Sequence, residues 1–215
     1  MIEVKPAAKI NATVNVPGSK SITQRALIAA ALADGESTLI GPLESEDTRY
    51  TAAALEQMGV AVDKGKDKWV VQGNGGLIAT PDKEIFLGNN GTATRFLTSV
   101  AALGSGTFQI NGDERMTERP ILPLMQALQG WGVDITSLNN NGCPPLQINA
   151  RGLSLPSTRF KMAEAALRIL NKSKISASLK AKSPICPKAF WLMTVFKVSN
   201  FFFRETMEWK SSNST

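Results

Sequence analysis

The chain has 215 residues, 43% of them hydrophobic and 20% charged, with a formal net charge of +6 at pH 7. This composition excludes a disordered polar tail. The absence of histidine excludes Ser-His-Asp and Cys-His catalytic systems and histidine-ligated metals. Cys143 and Cys186 form no CxxC motif, so the sequence indicates neither a zinc site nor a disulfide framework. No secretory signal begins the sequence, and no apolar run reaches the roughly 20 residues that span a bilayer. We therefore expect a cytoplasmic protein.

The N-terminal part of the chain contains one unit of alternating helices and strands. The strand pattern ATVNV ends at Pro17, and Gly18 begins a turn before the helix pattern QRALIAAALA. A short strand, STLI, a helix, EDTRYTAAALEQM, and the strands VAV and WVV follow. Gly59 ends the second helix, and DKGKDK between the last two strands is a hairpin signal.

The same order of elements recurs about 70 residues later. The segment LGNNG precedes the helix pattern TATRFLTSVAAL, and a strand TFQI, a helix starting near Pro120 and a strand VDI follow. The hairpin signal NNNGCPP precedes the strand LQIN. The offset is 70 from Gly18 to Gly88 and 73 from Gly59 to Gly132. The repeat predicts an α/β protein whose βαβαββ units pack side by side around a common core.

Residues 154–215 differ in composition from residues 1–153. They carry 11 of the 24 Lys and Arg residues, 3 of the 18 Asp and Glu residues and none of the 17 glycines. The loop glycine of a third repeat, expected near residue 158, is missing. We therefore divide the chain into two repeat units over residues 1–153 and a basic tail over 154–215 that we expect to be poorly ordered. Our hypothesis for the junction is a shift of reading frame or a truncated gene. A genuine fusion or a deliberately altered gene would look the same.

The motif PGSKSITQR at residues 17–25 points to anion binding. We expect Ser21 to cap the following helix and Gln24 to complete a capping box. The free N–H groups of a helix start attract anions, and Lys20 and Arg25 add positive charge. Such a group is suited to a phosphate monoester. The alternative is a well-capped helix with a solvated lysine and a salt-bridged arginine, because charged helix starts are common.

Two further segments are candidates for anion binding. In LGNNGTATR, Gly91 allows a ligand close to the backbone and Thr92 is placed to cap the helix or bind an anion. A tight strand-to-helix turn is the alternative.

The segment GDERMTERP places two arginines and three acids before a helix whose first residue we predict to be Pro120. We expect one arginine to bind an anion and the other to pair with the acids.

The segments PGSKSITQRAL, LGNNGTATRFL and GDERMTERPI, in this order and spacing, resemble the N-terminal half of the 5-enolpyruvylshikimate-3-phosphate (EPSP) synthase family. The sister family of UDP-N-acetylglucosamine enolpyruvyl transferases is the more distant alternative. The resemblance implies the inside-out α/β barrel of the enolpyruvyl transferases, with two domains of three βαβαββ units and an active site between them. It implies a transferase of the shikimate pathway to chorismate and aromatic amino acids, in which the enolpyruvyl group of phosphoenolpyruvate moves to the 5-hydroxyl of shikimate 3-phosphate and phosphate is released. No metal or organic cofactor is implied.

The resemblance also assigns roles to residues at matching positions. Lys20 would contact both substrates, and Ser21 and Arg25 would hold shikimate 3-phosphate. Gly91 would offer its backbone N–H to phosphoenolpyruvate, at the place where the competitive inhibitor glyphosate meets the backbone. Arg119 would bind the phosphate or carboxylate of phosphoenolpyruvate.

After Leu153 the sequence departs from the family pattern. The glycine-bearing strand and the Ser-Ser-Gln segment of the family are not visible, and we expect the second domain with its Asp, Glu and Lys acid–base residues to be absent. We therefore assign no catalytic residue, treat Arg95 and Arg115 as structural, and expect little or no synthase activity from this chain alone. The alternatives are a non-catalytic anion-binding fragment, a piece that needs its other half supplied in trans, and a basic-tail module that binds nucleic acid. We expect no nucleic-acid or membrane partner, and the resemblance implies that full-length family members are usually monomeric.

Overall fold

The computed structural model describes residues 13–14 and 16–152, so the basic tail predicted for residues 154–215 lies outside the described residues. The helices are Lys20–Leu32 (α1), Glu46–Gln57 (α2), Gly91–Ala101 (α3) and Leu122–Gln129 (α4). The strands are Asp34–Ile40 (β1), Ala61–Lys64 (β2), Lys68–Asn74 (β3), Ile85–Phe86 (β4), Ser105–Asn111 (β5), Asp134–Ser137 (β6) and Leu146–Arg151 (β7). No helix in this part of the chain is long and apolar enough to cross a membrane.

The strands form two sheets with the same topology. The first has the order β1-β3-β2, with both pairs antiparallel. In the second, of order β4-β5-β7-β6, the last three strands repeat that antiparallel arrangement and β4 adds a parallel strand beside β5. Both predicted hairpins are confirmed, since β2 pairs with β3 and β6 with β7. The second unit therefore has the complete βαβαββ order.

The leading strand that the pattern ATVNV predicted in the first unit is not found at the described residues of that segment. Thr13, Val14 and Val16 are not in a strand, and the two valines are 78% and 84% exposed. The prediction is wrong for these residues because an alternating pattern forms a strand only beside a partner strand and an apolar surface that covers one face. In the second unit, β4 pairs with β5 and Ile85 is fully buried.

The two units end their second helix in the same way. After α2 and after α4 the chain turns at a glycine in the left-handed conformation, with φ of 86° at Gly59 and 84° at Gly132. In each unit the N–H of the glycine donates to the carbonyl three residues before it, and the next N–H donates to the carbonyl five residues before it, which is the Schellman arrangement. The bonds are Gly59 N–Glu56 O (3.0 Å), Val60 N–Leu55 O (3.0 Å), Gly132 N–Gln129 O (2.9 Å) and Val133 N–Leu128 O (3.1 Å). The offset of 73 in the sequence therefore separates two copies of one turn.

A single hydrophobic core joins the two units, as predicted. It contains buried side chains from all four helices and from both sheets. Its largest fully buried side chains are Trp69 on β3 and Phe108 on β5. Because each unit contributes a helix layer and a sheet to the same core, neither buries its apolar face alone.

Candidate functional site

The start of α1 has no capping side chain. Its N-cap is Ser19, which makes no side-chain bond to the helix, so Ser21 lies in the first turn and Gln24 is buried. The predicted capping box of Ser21 and Gln24 is therefore wrong. The entry of the chain is set instead by Gly18, where a β carbon would clash with the carbonyl oxygen of Gly41.

The two cations of α1 have different partners. Lys20 Nζ lies 2.5 Å from Asp47 Oδ2 at the start of α2, with the lysine side chain 53% exposed. Arg25 donates to the carbonyl of Ser21 (3.0 Å), and its guanidinium carbon lies 5.3 Å from the ring centroid of Phe96 on α3. Within the described residues Arg25 forms no ion pair, so the salt-bridged arginine of the alternative interpretation is not found there.

The start of α3 is capped by an asparagine. Asn90 Oδ1 accepts from the N–H of Ala93 at 3.0 Å, and Asn90 Nδ2 donates to the carbonyl of Asp47 at 2.9 Å. The cap is therefore Asn90 and not Thr92, which lies inside the helix. The same bonds fix the start of α3 to the start of α2.

Gly91, the first residue of α3, lies against two arginines. A β carbon at this position would be 2.8 Å from Arg119 Nη1 and 3.2 Å from Arg95 Nη1. Arg95 donates to the carbonyls of Gly91 and Pro120, each at 3.0 Å. The guanidinium of Arg119, by contrast, has no hydrogen bond or ion pair among the described residues. The N–H of Gly91 donates to the carbonyl of Asn89 at 3.2 Å, so a ligand that accepts from this N–H has to replace that bond.

The electrostatics of this pair favour an anion. Burial lowers the pKa of Arg95, and the neighbouring charge of Arg119 lowers it further. No carboxylate of the described residues pairs with either guanidinium. Two adjacent guanidinium groups without a counterion are suited to a phosphate or carboxylate, which binds arginine through paired hydrogen bonds.

The segment before α4 differs from its sequence-based prediction. Helix α4 begins at Leu122, with Ile121 as N-cap and Pro123 in the first turn. Pro120 is therefore not the first helical residue, since Ile121 has φ of −127° and its carbonyl accepts the bond from the N–H of Met125 (3.1 Å) that begins the helix. Arg115 is exposed and has no ion pair in the described part of the chain, so the acids of this segment do not pair with it there.

Two residues of this region were not selected from the sequence. Asp47 contacts the starts of both α1 and α3, and Asn89 Oδ1 is a buried acceptor without a hydrogen-bond partner among the described residues. Asn89 lies within the LGNNG motif, so the sequence contained a signal for it. No motif surrounds Asp47, so the sequence contained no signal for its contacts with α1 and α3. The predicted residues fall in two groups that meet through Asp47 and Phe96: Lys20, Ser21 and Arg25 on α1, and Gly91 and Arg119 at α3.

The fold is a repeated α/β arrangement in which the starts of α1 and α3 lie close to the cationic side chains of Lys20, Arg25, Arg95 and Arg119. The family model of EPSP synthase (3-phosphoshikimate 1-carboxyvinyltransferase) matches residues 4–172. The chain therefore belongs to the EPSP synthase family.

Individual relatives agree with this assignment. The 3-phosphoshikimate 1-carboxyvinyltransferase of Rhizobium leguminosarum bv. trifolii is 47% identical over 149 residues, which are 69% of this chain and 35% of the relative. That of Shewanella piezotolerans is 38% identical over 209 residues, 93% of this chain and 49% of the relative. The solved EPSP synthase of Acinetobacter baumannii has a TM-score of 0.62 and 29% identity, covering 66% of this chain and 32% of that chain. The fold is thus that of the enolpyruvyl transferases, and the chain spans less than half the length of these relatives.

The comparisons also extend past the boundary at residue 153. The family match ends at residue 172, and identity falls from 47% over 149 residues to 38% over 209 residues in another relative. The longer alignment is the less identical one. The division of the chain at residue 153 stays a prediction.

Proposed function

We propose that this chain supplies one half of the binding surface for carboxyvinyl transfer from phosphoenolpyruvate to shikimate 3-phosphate. The observation that carries the proposal is Arg119, whose guanidinium lies against Gly91 beside Arg95 without a counterion in the described residues. Membership of the EPSP synthase family supports the choice of reaction. Both substrates are polyanions, which suits a surface lined by cations.

The two groups of residues would bind different substrates. On α1, the uncapped helix start together with Lys20, Ser21 and Arg25 would hold shikimate 3-phosphate, because free helix N–H groups and a mobile ammonium suit a phosphate monoester. At α3, Arg119 would bind phosphoenolpyruvate next to Gly91. Lys20 would lie between the two substrates.

We expect the chain alone to bind the two substrates but not to convert them to product. Removing a proton-transfer group lowers a rate by about 10²–10⁴-fold, and a ligand held from one side loses the orientation that brings two substrates together. The resemblance places the acid–base residues in the other half of the family's fold. Phosphate release after mixing this chain with a complementary C-terminal half would support this division. Steady phosphate release by this chain alone would contradict it.

The direct test is calorimetric titration of the chain with shikimate 3-phosphate and with phosphoenolpyruvate, for the unmodified chain and for Gly91→Ala. The added methyl group would lie 2.8 Å from Arg119 Nη1. We expect the affinity for phosphoenolpyruvate to fall by about tenfold or more, roughly 1.4 kcal/mol, and the affinity for glyphosate to fall further.

Gly130→Ala is the matched control, since Gly130 has φ of −61° at the end of α4 and a β carbon there meets only ordinary contacts. Shikimate 3-phosphate affinity should change little in either variant. Equal affinities for phosphoenolpyruvate in Gly91→Ala and the unmodified chain, or no binding of either substrate, would refute the proposal.

A further inference from the structure

We propose that Asn141 is a positioning residue that holds Arg119 in place for an anion, an inference that rests on the proposed function of Arg119. Asn141 lies in the loop between β6 and β7, outside the segments that carry the candidate site. Its side-chain amide donates from Nδ2 to the carbonyl of Thr117 at 3.2 Å. The next residue, Gly142, accepts at its carbonyl from the N–H of Ile121 at 2.9 Å. Two adjacent residues of this loop therefore hold the backbone two positions before and two positions after Arg119.

The orientation of the Asn141 amide is itself fixed. Its Oδ1 accepts from the N–H of Cys143 at 3.0 Å and lies 3.0 Å from the hydroxyl of Ser137. Because the N–H of Cys143 donates to this oxygen, while the hydroxyl of Ser137 also has the carbonyl of Cys143 as an acceptor at 2.6 Å, the amide nitrogen is directed to the carbonyl of Thr117. The loop is further limited at Gly142, which has φ of +71° and whose β carbon would lie 3.1 Å from Leu122 Cβ.

This support matters because the guanidinium of Arg119 has no bond of its own within the described residues. Its position depends on the backbone from which it starts and on the space beside Gly91. A charged side chain that begins from a fixed backbone loses less conformational freedom when it binds a ligand. Arg95 fixes the same segment from the other side through Pro120. Asn141 is thus a residue remote from the ligand that acts through Thr117.

The first test is Asn141→Asp with hydrogen–deuterium exchange in the absence of ligand. Aspartate keeps the size and the accepting oxygen toward Cys143 and Ser137 but replaces the donor to Thr117 by an acceptor. We expect faster exchange at residues 116–121 and unchanged exchange in the β1-β3-β2 sheet.

The matched control is Asn139→Asp, which makes the same charge change in the same loop at an exposed residue. Exchange at 116–121 that equals the control, or a rise of similar size in both sheets, would overturn the proposal.

The second test separates positioning from a general structural role by comparing two ligands. In Asn141→Asp we expect the affinity for phosphoenolpyruvate to fall about three- to tenfold, the range that one hydrogen bond supports, while the affinity for shikimate 3-phosphate is unchanged. In an Arg119→Ala background the same substitution should have no further effect, because it acts through Arg119. Equal losses for both ligands, or an additive effect in the double variant, would overturn it. If the unmodified chain binds no phosphoenolpyruvate, the proposed function fails, and the exchange experiment still decides whether Asn141 orders the Arg119 segment.

Discussion

The two repeat units place different residues at the equivalent sequence position where their first helix begins, and both residues contact Asp47. At the offset of 70, Lys20 of the first unit corresponds to Asn90 of the second. Lys20 pairs with the carboxylate of Asp47, whereas Asn90 donates to its backbone carbonyl. One scaffold position thus supplies a charge in one unit and a helix cap in the other.

The difference extends to how each unit acquires its cations. In the first unit both cations, Lys20 and Arg25, lie on α1 itself. In the second unit Arg95 lies on α3 and donates to two backbone carbonyls. Arg119, whose guanidinium has no partner among the described residues, comes from the segment before α4. The first proposed anion site is therefore local in sequence, and the second depends on contacts between segments. Substitutions that separate the units, or weaken one contact between them, test this account.

The largest expected effect concerns the shared core. Phe108→Ala and Trp69→Ala each remove a fully buried aromatic side chain, one from each unit, and each should lower the free energy of unfolding by about 3–5 kcal/mol. Because the core is continuous across both units, either variant should unfold in one transition at a lower denaturant concentration. Circular dichroism in urea, with hydrogen exchange in the sheet that was not mutated, measures both. Two separate transitions, with the unmutated sheet unaffected, would show that the units fold independently.

A smaller loss of stability is expected from substitutions in the two equivalent turns that follow α2 and α4. Gly59→Ala and Gly132→Ala both force a β carbon into the left-handed conformation, which costs about 1–2 kcal/mol. At Gly59 that β carbon would also lie 3.1 Å from Ala79 Cβ, whereas at Gly132 nothing lies within 4 Å. Gly59→Ala should therefore be the more destabilising variant in urea denaturation. Equal losses would mean that Ala79 moves aside, and a larger loss at Gly132 would contradict the equivalence of the turns.

The hydrophobic periodicity and the glycine positions predicted the repeated architecture because helices, helix ends and hairpin turns depend mainly on neighbouring residues. Gly59 and Gly132 are needed wherever a helix ends in a left-handed residue, and the hairpins follow from turn residues between β-forming runs. The helix starts were harder to predict. Ser19 and Ser21 are both acceptable N-caps, and the close approach of Gly18 to Gly41, 23 positions away, decides between them.

Contacts between distant residues also explain why the sequence indicated only some residues of the candidate site. Lys20 and Arg25 were selected from the sequence because both lie near one predicted helix start. Asp47 and Asn141 were missed, since each acts on a residue more than 20 positions away, and no local pattern records such a pairing. The predicted helix start at Pro120 was wrong: Ile121 is the N-cap, and its N–H donates to the carbonyl of Gly142 in a distant loop, a contact that no local pattern records.

The smallest expected effect concerns Asp47, where the two units meet. Asp47→Asn removes the ion pair with Lys20 but keeps the backbone carbonyl to which Asn90 donates. Because the lysine side chain is 53% exposed, the pair should contribute at most about 1 kcal/mol, and less at high salt. Glu44→Gln, which breaks the exposed pair with Arg49, is the matched control.

Urea denaturation of both variants at low and high salt gives the comparison. A loss near that of Gly59→Ala would mean that the carboxylate, rather than the backbone carbonyl and the cap, joins the units. A loss in free energy of unfolding equal to that of Glu44→Gln would mean that the pair with Asp47 contributes little to stability. Lys20 could then leave Asp47 and bind a ligand without destabilising the fold, as the proposed role of this charge requires.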